Sequence, residues 1–177
     1  MTRAALLLGL AAVSLSGCGL RPLYGGGAAG PVQSTLAAVE VAPIEGQSGW
    51  LVGNALRDRL RNGQDQSARY RLDVKLDDRI SGLGVRSDDS VARERRTLRA
   101  RYQLVDLSSG LVVLDATAGS DAGIDVVGSE YATIAAERSA LERLSDIVAD
   151  QIVARVARFA QSGAETGSPD AGGAGTP

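Results

Sequence analysis

From Arg69 to Ile80 the chain reads RYRLDVKLDDRI, and its apolar side chains fall at every second position. Tyr70, Leu72, Val74 and Leu76 point one way; Arg69, Arg71, Asp73, Lys75 and Asp77 point the other. A period of two with one apolar and one charged face is the signature of a half-buried β-strand. The stretch RERRTLRARYQLVD, residues 93–106, repeats the device. Leu98, Ala100, Tyr102 and Leu104 go inward, while Thr97, Arg99, Arg101 and Gln103 go outward. A sheet built from such strands cannot be covered by apolar layers on both sides. Whatever helices the chain forms must pack on the Tyr70-Leu72-Val74 side.

The flanking segments supply those helices. STLAAVEVAP, residues 34–43, reads as a strand in which Val39 and Val41 share a face with Ala37, ended by Pro43. In SGWLVGNALRDRLRNG, Val52, Leu56 and Leu60 line one face of a helix, with Ser48 as N-cap and Asn62-Gly63 as the stop. After the second alternating strand, Asp106 to Gly110 (DLSSG) is a hairpin loop, and LVVLDATAGSDA returns from it. A long helix follows, capped by Ser129. Its stripe is Ile134, Leu141, Leu144, Val148, Ile152, Val156 and Phe159, at spacings of three and four. The expected order is β-α-β-β-β-α over residues 34–160. That makes one α/β (α+β) domain, a two-layer sandwich of a four-stranded sheet with two helices on one face.

The ends differ in kind. MTRAALLLGLAAVSLSG, residues 1–17, has a positive charge at Arg3, an apolar run and then small residues, as a secretory signal does. The run is far shorter than the ~20 apolar residues that cross a bilayer as a helix. Leu15-Ser16-Gly17-Cys18 forms a lipobox, and Cys18 is the only cysteine in the chain. Its thiol is the expected acceptor of a diacylglycerol, with several acyl chains needed for a stable anchor. Gly19 rather than aspartate follows it, which by the usual bacterial pattern directs sorting to the outer membrane. Residues 18–33 read as the lipidated N-terminus and a flexible tether rich in glycine and proline, and residues 161–177 as a disordered tail.

Composition removes several functions. The chain has no histidine, so the commonest general base and metal ligand is missing. Its sole thiol is committed to the lipid, and its aspartates match no metal-loop spacing. An enzyme is therefore not expected, nor a cofactor beyond the covalent lipid on Cys18. The formal charge is −2. The arginines lack interleaved aromatics, so nucleic acid is not an expected partner either.

CGLRPLYG, Cys18 to Gly25, directly after a lipobox and ahead of such a domain, resembles the LptE family of outer-membrane lipopolysaccharide translocon lipoproteins. It is similar to the branch whose mature chain begins Cys-Gly-Phe-Arg-Pro-Leu-Tyr-Gly, departing only in having Leu20 for phenylalanine. The resemblance implies a four-stranded sheet with two helices on one face. It also implies a lipid-anchored place on the periplasmic side of the outer membrane. The partner would be the large LptD-type β-barrel of the translocon, which the protein plugs and helps to assemble while contacting lipopolysaccharide. Under that reading Arg21 meets anionic headgroups, and Leu23 and Tyr24 suit an interfacial contact or a barrel wall.

Arg93, Arg95, Arg99 and Arg101 share the outward face of their strand, and Arg96 falls on the inward side near its start. Arginine forks bind phosphate bidentately, so these four are candidates for contact with lipopolysaccharide. A solvated face, with the arginines paired to Asp73, Asp77 and Asp115 or to acids of a barrel lumen, is the alternative. So, for the whole chain, is a structural or adaptor lipoprotein that binds another envelope protein.

Overall fold

A computed structural model describes residues 30–60, 67–85, 91–126 and 128–166. Its elements are α1 (Pro31–Ala37), β1 (Val39–Val41), α2 (Gly46–Leu60), β2 (Tyr70–Val85), β3 (Val91–Asp106), β4 (Val112–Asp125) and α3 (Glu130–Thr166). The four strands form one mixed sheet in the order β1-β2-β3-β4. β1 lies parallel to β2, and the other pairs are antiparallel. The α+β sandwich expected from the alternation is present, with three helices among the described residues where two were expected.

The phase of both long strands agrees with the sequence. Tyr70, Leu72 and Val74 on β2 and Leu98, Ala100, Tyr102 and Leu104 on β3 are buried. They meet Val52, Leu56 and Leu60 of α2 and Leu141, Leu144, Val148, Ile152 and Val156 of α3 in one core. α3 supplies the longest wall because its apolar residues recur every three or four positions along one stripe. Ile134, counted in that stripe, is 46% exposed, since the first turns of α3 extend beyond the core. Ser129 does cap the helix, its Oγ accepting from the Ala132 N–H at 3.4 Å.

Three boundaries differ. Residues 31–37, expected to continue the tether and then begin a strand, form α1. Pro31 suits the first turn, where its missing N–H costs nothing. Val32 and Leu36, one helical turn apart, are both buried in the core. Only Val39–Val41 remains as strand, against Tyr70–Leu72. α2 begins at Gly46 (φ +81°) rather than behind a cap at Ser48. The site of the expected Asn62-Gly63 stop lies outside the described residues. α3 runs on to Thr166, past the end of the domain expected at residue 160.

Within the sandwich one charged pair is nearly enclosed. Arg96, inward-facing on β3, donates from Nε and Nη2 to both carboxylate oxygens of Asp78 on β2, at 2.9 and 2.7 Å. Its Nη1 donates to the Glu137 carbonyl of α3 at 3.0 Å. Arg96 thus ties two strands and the long helix at the end of the sheet where apolar packing thins.

Candidate functional site: the outer face of the sheet

Among the described residues no helix covers the other side of the sheet. Its rows are charged because every second residue of β2 and β3 must face water. The four arginines expected there do share it, and the structure assigns most of them partners. Arg93 pairs with Asp125 at 2.8 Å, Arg95 with Asp121 at 3.7 Å and Arg101 with Asp115 at 3.1 Å. All three acids belong to β4, whose register against β3 places acids along its outward row. Asp115 also accepts from Gln103 at 2.9 Å. The Gln103 amide, followed by the Arg101 guanidinium, holds its carboxyl below the usual carboxylate range. Asp73 and Asp77 are taken within β2, by Arg71 at 3.0 Å and Arg79 at 2.8 Å.

Arg99 is left over. Its cross-strand neighbours are Asp77, already held by Arg79, and Gly119, which has no side chain. A Cβ at Gly119 would lie 3.3 Å from Arg99 Cγ, so glycine lets the arginine stem lie against the strand. Lys75, on the adjacent row and directly across from Arg101, is in the same position. Among the described residues neither Lys75 nor Arg99 has an ion pair or a side-chain hydrogen bond. The two line a shallow groove of about 480 Å³ with Asp77, Arg101, Thr117 and Gly119. Such a groove offers two unneutralised cations and a third, Arg101, that shares its acid. It can bind a phosphate or carboxylate from solution without first breaking an internal pair. Lys75 was not singled out by the sequence, where it is one charge in an alternating row. The signal that would have found it is the register, which sets it against Arg101 instead of an acid.

At the edge of the sheet the side chain of Gln151 on α3 grips the backbone of Gly119 in both directions. The Gly119 N–H donates to Oε1 at 3.0 Å and Nε2 donates to the Gly119 carbonyl at 3.3 Å. This satisfies two backbone groups of the exposed edge strand and blocks continuous pairing along it. Among the described residues no group of acids or thiols is placed to hold a metal ion. Cys18, Arg21, Leu23 and Tyr24 lie outside the described residues.

Fold and face together define a small two-layer α+β module that presents a charged sheet surface rather than an enclosed pocket. The lipopolysaccharide-assembly family, LptE, matches residues 36–156, and the chain belongs to it. The solved structures agree in fold. A lipoprotein from Caulobacter crescentus superposes with a TM-score of 0.64 at 24% identity, over 75% of this chain and 98% of its own. A minor lipoprotein from Acinetobacter baumannii gives 0.56 at 15% identity, over 69% and 92%. Lipoprotein B of Nitrosomonas europaea gives 0.53 at 14%, over 76% and 94%. The comparison with curated proteins gives no match.

Proposed function

We propose that this chain is an outer-membrane lipoprotein, anchored through Cys18, that plugs and helps assemble the lipopolysaccharide-translocating barrel. We further propose that it contacts lipopolysaccharide with the outer face of its sheet. Membership of the lipopolysaccharide-assembly family supports the process. The observation that carries the contact is the uncompensated pair Lys75 and Arg99 at the middle of that face. Lipid A and its inner core carry phosphates and carboxylates that match this chemistry. Arg101 adds to the site at the expense of Asp115, whereas Arg93 and Arg95 serve mainly to pair β3 with β4. Arg21, Leu23 and Tyr24 belong to the anchor side and meet headgroups or the barrel wall.

The test is the double change Lys75→Glu with Arg99→Glu in the full chain. Lipopolysaccharide binding by the isolated protein should weaken tenfold or more, since one charge-assisted hydrogen bond contributes ~1.5–3 kcal/mol. The complex with the barrel should form in normal yield. Added salt should weaken wild-type binding, because exposed charges are screened within ~8 Å at physiological ionic strength. Loss of the complex with unchanged lipopolysaccharide binding would overturn the contact. It would leave the second reading, in which these cations meet acids of the barrel lumen.

A further inference from the structure

The β3–β4 hairpin ends in an ordered loop with apolar side chains in water. Leu107, Leu111, Val112 and Val113 are between 36% and 66% exposed. Turn residues are ordinarily polar or small, and here the polar ones are spent on holding the turn. The Asp106 carboxylate accepts from the N–H groups of Ser108 and Ser109, at 2.8 and 3.3 Å, and from the Ser108 hydroxyl. The Asp106 N–H donates to the Leu111 carbonyl at 2.9 Å, and Gly110 takes φ +72° to close the loop. The four aliphatic side chains are therefore displayed on a fixed frame.

The position of this tip says what covers it. The Leu107 N–H donates to the Arg69 carbonyl, and the Arg69 N–H donates to the Ala38 carbonyl, both at 2.9 Å. Ala38 directly follows α1, so the first described helix ends at the same pole as the tip. From Cys18 to Gly30 are 12 residues, a reach of at most ~40 Å. Arg69 stands beside the tip, 3.7 Å from the Asp106 carboxylate and with its side chain 66% exposed, so its remaining donors can reach an anionic headgroup. The Val85 and Val91 ends of β2 and β3 lie at the opposite pole, far along the strands from Ala38 and the tip.

We propose that the Leu107/Leu111–Val113 tip enters the headgroup–acyl boundary of the bilayer that holds the lipid on Cys18. It would be a second membrane contact that fixes which way the sheet points. Shallow burial of a few aliphatic side chains beside a cation is the ordinary chemistry of an interfacial contact, and it adds to a lipid anchor.

The proposal rests on the anchor at Cys18, and one experiment separates the two. The full lipidated chain carrying Leu111→Cys is labelled with an environment-sensitive fluorophore and reconstituted into phosphatidylethanolamine–phosphatidylglycerol vesicles. Asp125→Cys, at the far end of β4, is the control. Spin-labelled lipids should quench position 111 at least ~3-fold more than position 125, with a blue-shifted emission at 111. Equal quenching at the two positions would overturn the proposal. So would a blue shift at 111 that appears only on adding the purified barrel, which would assign the tip to a protein surface. Labelling of the unsubstituted chain would show a free thiol at Cys18 and so overturn the anchor instead.

Discussion

The Arg96–Asp78 pair makes the sharpest demand on the fold. Their side chains are 13% and 20% exposed, so the charges are largely withdrawn from water. Asp78→Ala removes two of the three hydrogen bonds that Arg96 donates and leaves a guanidinium enclosed between β2, β3 and α3. Charged hydrogen bonds contribute ~1.5–3 kcal/mol each, and breaking a fully buried pair costs ~3–5 kcal/mol. Partial access for water at this site lowers the expectation to about 2–4 kcal/mol. For a folded region of roughly 130 residues, 3 kcal/mol corresponds to a fall in Tm of about 10 °C. Asp125→Ala, breaking the Arg93 pair in which both partners are more than 60% exposed, should cost under ~1 kcal/mol. Urea titrations of both variants, with the slope m unchanged, measure the difference. The double change Asp78→Leu with Arg96→Met should recover most of the loss, because apolar side chains of similar volume need no partner. A cost within ~0.5 kcal/mol for Asp78→Ala would refute the claim that this pair is enclosed and closes the end of the sandwich.

The strand phase is checked by Leu72→Ala and Leu144→Ala, which remove fully buried side chains on facing elements and should each cost ~2–5 kcal/mol. Lys75→Ala on the outward row should stay within ~0.5 kcal/mol, and the reverse order would invert the assignment. Stability should also depend on acid through Asp106 and Asp115. The Ser108 hydroxyl and N–H hold the Asp106 carboxyl below its ordinary range, as Gln103 and Arg101 do for Asp115. A lowered folded-state value means that the contribution is present above the unfolded value of about 4 and is lost as pH falls through the folded one. The gap in urea midpoint between wild type and Asp106→Asn should therefore narrow from pH 6 towards pH 2, and a gap independent of pH would show that the turn's hydrogen bonds are not linked to ionisation.

Much of this protein is written in local periodicity. The alternation through Tyr70–Leu76 and Leu98–Leu104 settles which side chains turn inward, because successive residues of a strand face opposite ways wherever the strand lies. Leu141 to Val156 likewise mark the buried stripe of α3, and DLSSG marks the turn before β4. The outward set Arg93, Arg95, Arg99 and Arg101 follows from the same alternation. What periodicity cannot carry is which residue stands opposite which. Arg99 and Arg101 are equivalent in the sequence. Only the register shows that one faces Gly119 and an aspartate already engaged, while the other has Asp115 in reach. Arg96 reads as an arginine on the wrong side of a strand until β2 brings Asp78 and α3 brings the Glu137 carbonyl, 18 and 41 residues away. The segment from Pro31 to Ala37 is illegible for the same reason. Its composition suits either state, and it is a helix whose Val32 and Leu36, one turn apart, pack against the core. Faces were set by the chain's own chemistry, while partners, and with them the uncompensated cations Lys75 and Arg99, were set by strand order and register in three dimensions.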